Sequence, residues 1–158
     1  MAQTLLSKTD DYVFIESPKY CGIWARWALE TLLGAPNLVA QPKRRALFAW
    51  ALAGYPKSAR ARDMLLTLSA DTEPLVREHA IEALAEFRFH AAKQRFLEIL
   101  RRGSPVERYW ALFGLGTQAD SRGADAIREH LGDCAEVPGL GSVAQEAKWA
   151  LEQISKTR

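Results

Sequence analysis

The chain has 158 residues, of which 48% are hydrophobic and 25% charged, and its formal net charge at pH 7 is +2. This is ordinary globular composition, and the length suffices for one hydrophobic core without disulfide staples. No apolar run reaches the roughly 20 residues that span a bilayer, and the start MAQTLLSKTDDYVF lacks the features of a secretory signal. We therefore expect one domain over residues 1–158, a cytoplasmic location, no membrane contact, and Cys21 and Cys134 as reduced thiols.

A strong helix is predicted near the N-terminus, in the stretch CGIWARWALETLLG. Its apolar residues recur at helical spacing, and Gly34 provides its stop. A shorter helix is predicted near residues 2–8. A repeated helix pattern begins near residue 41, as described below. The longer helix starts too close to it to be a full copy of that repeat. Residues 1–40 are therefore expected to form a helical cap, and residues 41–158 the main body.

The clearest amphipathic helix is PLVREHAIEALAEF, residues 74–87. Pro74 suits the first turn of a helix, and Asp71 just before it is a natural cap. The next stretch, HAAKQRFLEILRRG, predicts a second helix that ends at Gly103. The predicted apolar stripe of the first helix comprises Leu75, Val76, Ala80, Ala83, Leu84 and Phe87. Its opposite face is acidic, with Glu78, Glu82 and Glu86.

The same helix pair recurs along the chain. Pro42 precedes Pro74 by 32 residues, and Pro105 follows it by 31. A fourth copy, GSVAQEAKWALEQI, comes after a spacing of 36 residues and has Ala144 where the other copies have an arginine. These arginines are Arg45, Arg77 and Arg108. Such spacings are typical of an array of stacked helix pairs.

The shared pattern, P-x-V-R-x-x-A-x-x-A-L, resembles the HEAT repeat, especially the short HEAT-like type of many bacterial proteins. Residues 71–102 match it best, with an Asp71 to Arg77 spacing similar to that of the repeat's aspartate and arginine, and the resemblance covers roughly residues 40–154. It implies an all-α fold, an α-α superhelix (HEAT-like solenoid) of about three to four helix pairs, each contacting its neighbours. The cap of residues 1–40 then covers the open end of the array.

No spacing in the sequence is typical of a catalytic, metal or cofactor site. The histidines at 79, 90 and 130 are scattered and lack the spacing of metal ligands. The stretches LGAP, FGLG and PGLGS contain glycine without a phosphate-binding pattern, and we interpret them as tight packing or helix stops. We therefore expect a protein that is not an enzyme and binds no cofactor or metal.

Basic side chains are concentrated near the predicted second helices, which line the concave face of a HEAT-like array. They are candidates for a nucleic-acid-binding surface. The near-zero net charge argues against this interpretation, because dedicated nucleic-acid-binding domains are usually strongly basic. The candidate basic residues are Arg60, Arg62, Arg88, Lys93, Arg95, Arg101 and Arg102.

Aromatic residues recur at one register of the first helices. At about 100° per residue, position 82 lies near the far side of its helix from the stripe around Ala80. The aligned positions hold Trp50, Phe113 and Trp149. Trp50 is expected to pack under the cap, whereas Trp149 either packs on the preceding repeat or contacts a partner, because exposed tryptophans are enriched at interfaces. The candidate protein-binding residues are Trp149, Phe113 and Tyr109.

The favoured hypothesis is a non-catalytic scaffold or adaptor that binds another protein through a curved HEAT-like surface. That partner is an enzyme under assembly, or a toxin neutralised by an immunity-type protein. One alternative is a nucleic-acid-binding protein resembling HEAT-like DNA glycosylases, with a basic groove. Another is a lyase or chaperone subunit of the bilin-lyase type. Each of these is compatible with a homodimer.

Overall fold

The computed structural model describes residues 41–156, and the predicted cap of residues 1–40 lies outside them. The helices are α1 (Pro42–Leu52), α2 (Ala59–Leu68), α3 (Pro74–Glu86), α4 (Lys93–Arg102), α5 (Pro105–Gln118), α6 (Ala124–Arg128) and α7 (Val143–Lys156). Single 3₁₀ turns, His90–Ala92 and Ser121–Gly123, precede α4 and α6. Two short antiparallel strands, β1 (Glu136–Val137) and β2 (Gly141–Ser142), lie between α6 and α7. The described residues therefore confirm the predicted all-α class, with one small hairpin added.

The chain divides into two compact units, Met1–Ala80 and Ile81–Arg158. In the described part of the first unit, α1 contacts α2. The Ser58 hydroxyl caps α2 by accepting the N–H of Ala61 at 3.2 Å. The packed side chains of these helices are Ala46, Phe48, Ala49, Ala51, Leu52, Ala61, Leu65 and Leu68. Within residues 41–156, no helix combines the length and the apolar character needed to cross a membrane.

The stripe predicted for α3 is confirmed at most positions and wrong at one. Leu75 is 51% exposed, although its neighbour Val76 is fully buried. Conversely, Ile81 and Ala85 are fully buried outside the predicted stripe. The buried surface of α3 is therefore wider than the predicted stripe.

In the second unit, α5 is the central helix, because both α4 and α7 pack against it. Two glycines make this close packing possible. A Cβ on Gly114 would come within 2.6 Å of the Phe96 ring of α4, and a Cβ on Gly116 would come within 2.8 Å of the Cα of Ala150 on α7. The GLG stretch at residues 114–116 is thus a site of tight helix packing. From the sequence alone, such stretches are interpreted either as tight packing or as helix stops.

The segment 133–141, predicted as a long loop, contains the hairpin. The C=O of Val137 accepts the N–H of Leu140 at 3.0 Å across Pro138 and Gly139. Gly139 has φ +79°, so this is the type II turn that a Pro-Gly pair favours. The buried side chain of Val137 anchors the hairpin.

An aspartate precedes α3 and joins it to α1. The carboxylate of Asp71 accepts the Nε–H of Arg45 at 2.8 Å, and its other oxygen accepts the backbone N–H of Glu73 at 2.9 Å. Arg77 donates to the backbone carbonyls of Asp71 and Thr72 instead, at 3.0 Å each. The aspartate noted in the repeat pattern therefore pairs with the arginine of the preceding copy.

The second unit repeats this arrangement twice. Asp133 accepts the Nε–H of Arg108 at 2.9 Å and the N–H of Ala135 at 3.2 Å. Asp120, which precedes α6, forms ion pairs with Lys93 of α4 and with Arg122. Each of the three aspartates thus accepts a backbone N–H in the turn that precedes a helix or strand. Each also binds a basic side chain from the preceding helix pair.

These contacts lower the pKa of the aspartates. The pKa of Asp120 lies well below its usual range because of hydrogen bonds from Arg122 and Lys93, and Arg45 lowers the pKa of Asp71. Burial acts to raise the pKa of Asp133, but the amide of Ala135 and the charge of Arg108 outweigh it, so that this pKa is also lowered. A carboxyl whose pKa is lower when folded contributes stability that is present above about pH 4 and is lost as the pH falls through the folded pKa.

We accordingly expect Asp120→Asn to lower the stability at pH 7 and to flatten its dependence on pH between about 5 and 2. Asparagine keeps the oxygen that accepts the Arg122 amide but not the charge. Urea unfolding at a series of pH values measures the effect, with Asp125→Asn as control, since the Asp125 side chain is 97% exposed. Equal curves for Asp120→Asn and the wild type would show that the ion pairs of Asp120 do not stabilise the fold.

Candidate functional site

The candidate site is built on α5 and α7, the two longest helices of the described residues. Both begin with a capping box. Ser104 and Glu107 exchange side chain to backbone hydrogen bonds of 2.8 and 3.2 Å at the start of α5. Ser142 and Gln145 do the same at the start of α7, at 3.0 and 3.3 Å. The capping boxes fix the first turns and so set the register of both helices.

Four aromatic side chains of α5 and α7 form one continuous cluster, which we call the aromatic cluster: Tyr109, Trp110, Phe113 and Trp149. The ring of Trp110 meets those of Tyr109 and Phe113 edge to face, each with centroids 5.7 Å apart. The rings of Phe113 and Trp149 are stacked at 5.2 Å, with 9° between their planes. Each of the four residues is only partly buried, so the cluster is both a helix contact and part of the surface.

The structure thus brings together the three residues proposed from sequence as protein-binding. Phe113 and Trp149 hold aligned positions of neighbouring copies and meet where α5 packs against α7. Tyr109 lies one turn before Phe113. Trp149 packs on the preceding helix pair, which was one of its two expected placements. A Cβ on Gly116 would meet the Trp149 ring at 2.6 Å, so this glycine provides the space for the indole. Trp110, set aside in the sequence pattern as out of register, belongs to the same cluster.

Glu146 lies beside the aromatic cluster, on α7 one turn before Trp149. It is only 8% exposed, and among the described residues its Oε1 has no hydrogen-bond partner. Burial raises the pKa of Glu146, and a hydrogen bond from the Tyr109 hydroxyl acts in the opposite direction. No spacing motif marks this residue in the sequence. The only available signal was a carboxylate three residues before an aligned tryptophan.

The same pair changes the ionisation of Tyr109. Burial, the hydrogen bond to Glu146 and the charge of Glu146 raise the pKa of Tyr109 to about 12. The stability that depends on the neutral phenol is complete below about pH 10 and is lost as the pH rises towards the folded pKa.

We expect one of the four tyrosines to ionise near pH 12 in a spectrophotometric titration of the folded protein. The Tyr109→Phe variant should lack this transition. In Glu146→Gln the transition should move down without reaching the ordinary value near 10, because burial is the larger cause. A titration that is unchanged in Tyr109→Phe would contradict the assignment.

The seven candidate basic residues are divided between the two units. Arg60 and Arg62 lie on α2 in the first unit. In the second unit, Lys93 binds Asp120, and Arg95 lies 3.3 Å from Glu98. The exposed candidates of that unit are Arg88, Arg101 and Arg102.

The structure places Trp50 on α1, partly buried, but the cap expected to cover it lies outside the described residues. Within residues 41–156 there is no cluster of three or more histidine, cysteine or acidic side chains that could hold a metal ion. Cys134 is an exposed free thiol on the segment before the hairpin.

A search of curated proteins found no match. The family model of HEAT repeats matches residues 38–105, which include α1 to α4 and therefore two successive helix pairs. The paired helices, the spacing near 32 residues and the contact of Asp71 with Arg45 between copies occur in this segment. The match over residues 38–105 supports a HEAT-like repeat family, and the mostly helical fold of the described residues is consistent with an all-α solenoid.

Proposed function

We propose that the protein is a non-catalytic, cytoplasmic scaffold or adaptor that binds another protein, and that the aromatic cluster is its contact surface. HEAT repeats commonly serve as protein-interaction scaffolds. The single observation that carries the choice of surface is the continuous contact of four partly exposed aromatic rings on α5 and α7. Aromatic side chains, tryptophan and tyrosine above all, dominate the binding energy of protein interfaces.

A protein partner is favoured over nucleic acid by the charges of the second unit. Residues 81–158 contain eleven basic and eleven acidic residues. Lys93 and Arg95 are engaged with carboxylates of the same unit, whereas a surface that binds phosphates needs cations directed outward. An assembly-type or immunity-type partner fits the proposal, since a preformed surface binds with little ordering cost.

The test is affinity capture from a native lysate of the source organism, followed by mass spectrometry, with three matched baits. These are the wild type, Trp110→Ala in the cluster, and Leu131→Ala, which changes a 39% exposed leucine outside it. We expect one protein to be recovered by the wild type and by Leu131→Ala, and at least tenfold less of it by Trp110→Ala. Circular dichroism must show equal helix content in all three baits.

Equal recovery by the three baits would exclude the aromatic cluster as the contact surface. Absence of any enriched protein, with recovery of nuclease-sensitive material instead, would replace the proposal by the nucleic-acid alternative. Binding to a DNA duplex that falls steeply between low and moderate salt would point the same way.

A further inference from the structure

The aromatic cluster has a buried acid at its side. Glu146 is nine-tenths buried, its Oε1 has no partner within residues 41–156, and the ion pairs of the described residues do not include it. The Tyr109 hydroxyl, which is neutral, is a hydrogen-bonding group beside it. In its ionised form, this buried carboxyl carries a negative charge that no cation of residues 41–156 pairs with.

The helix geometry places this carboxyl next to the rings. Glu146 lies three residues before Trp149 on α7, and its partner Tyr109 lies four residues before Phe113 on α5, so all four share one helix interface. The stacked rings of Phe113 and Trp149 continue from there to Trp110. The carboxyl and the aromatic rings therefore lie at the same helix interface.

Both components of this surface attract cations. The face of an aromatic ring carries partial negative charge and binds guanidinium or ammonium groups within about 6 Å. A carboxylate that is already removed from water adds a Coulombic attraction that is screened little by solvent. Because folding has already desolvated Glu146, a cation that approaches the rings gains this attraction without a further desolvation cost for the carboxylate.

We propose that the aromatic cluster and Glu146 form a docking site for an arginine or lysine side chain of the partner protein. The inference rests on the proposed function and specifies the chemistry of the partner. The aliphatic part of such a side chain packs on the rings of Trp149 and Trp110, and its charge lies on the side of Glu146. An acidic side chain of the partner would be repelled by the Glu146 carboxylate. A purely apolar side chain would leave the charge of that carboxylate uncompensated.

The test uses two blocked tripeptides, acetyl-Gly-Arg-Gly-amide and acetyl-Gly-Leu-Gly-amide, titrated into the full chain. Binding is followed by the indole N–H signals in ¹H–¹⁵N NMR spectra, which Trp110→Phe and Trp149→Phe assign. We expect the arginine peptide to shift the signals of Trp110 and Trp149 in a saturable way. In Glu146→Gln, which keeps the shape and an acceptor for Tyr109, its affinity should fall about five- to tenfold.

Glu129→Gln is the matched control, because it removes one carboxylate from an exposed position at the end of α6. This variant should bind the arginine peptide like the wild type. Equal losses in Glu146→Gln and Glu129→Gln, or no loss in either, would overturn the inference, as would failure of the arginine peptide to shift either indole.

The apolar peptide separates this inference from the proposed function. If both peptides shift the same indoles equally, the cluster is a binding surface without preference for a cation, and only the inference about arginine or lysine fails. If neither peptide shifts them and the three baits also capture the same proteins, the inference and the proposed contact surface fail together.

Discussion

Replacing Gly116 by alanine is expected to destabilise the folded protein by about 3 kcal/mol. At an ordinary helical position, the same change would stabilise by up to about 1 kcal/mol, because alanine is the better helix former. At Gly116 the new Cβ would lie 2.6 Å from the Trp149 ring, 2.8 Å from the Cα of Ala150 and 3.0 Å from its Cβ. The indole is the end of a side chain and could move, but the Ala150 backbone belongs to α7 and could not yield without separating the helices.

Urea unfolding measures this prediction, and the near-ultraviolet circular dichroism of the tryptophans reports on the Phe113 stack. Gly132→Ala is the control, because nothing lies within 4 Å of the added carbon there. The control should remain within about 0.5 kcal/mol of the wild type. A stabilised Gly116→Ala protein would mean that α5 and α7 are not packed as closely as the structure shows.

Ala83→Asp is expected to cost about 4 kcal/mol or more, enough to leave the chain largely unfolded at 37 °C if its stability is that of an average domain. Ala83 is 1% exposed and lies on α3 next to the fully buried Leu84. An aspartate there would bury a charge without a partner, and relief by protonation or rearrangement carries its own cost.

The control is Ala91→Asp, which introduces the same side chain at an exposed position of the 3₁₀ turn before α4. Thermal unfolding should show a large fall of the melting temperature for Ala83→Asp and little change for Ala91→Asp. An unchanged melting temperature for Ala83→Asp would contradict the alignment of the repeats.

The sequence was most informative about the helix pairs, because a packing unit that is copied leaves a period in the chain. Pro42, Pro74 and Pro105 each begin a helix. The Ala-Leu pair aligned across the copies is buried at Ala51-Leu52 and Ala83-Leu84, but Leu151 is only partly buried. The hairpin was missed because strands of two residues have no detectable alternation, and only its Pro-Gly turn carries a signal.

The candidate site was predictable in part. A register argument placed Phe113 and Trp149 at equivalent positions of neighbouring copies, and these rings stack. It could not include Trp110, whose ring contacts depend on side-chain direction rather than on helix register alone. Glu146 could not be identified from the register either, for a different reason. One glutamate among several on α7 is distinguished only by burial, which depends on how α5 packs against it.

The pairing of aspartates with cations shows a further limit. The spacing from Asp71 to Arg77 is visible in the sequence, yet the carboxylate of Asp71 binds Arg45 of the preceding copy. A local spacing does not reveal which copy supplies the partner. In the second unit, the carboxylate of Asp133 likewise binds Arg108 of the preceding copy, at 2.9 Å. Ion pairs between copies are therefore a recurring feature of this chain.

The central claim, that the aromatic cluster is a surface for another protein, is tested most directly by photocrosslinking in the living source organism. A photoreactive amino acid replaces Glu152, an exposed residue of α7 one turn after Trp149, or, as control, the exposed Asp125 of α6. We predict that irradiation links one specific protein to position 152, that position 125 gives no such product, and that Trp110→Ala abolishes it. A product that forms equally at both positions, or that persists in Trp110→Ala, would contradict the claim.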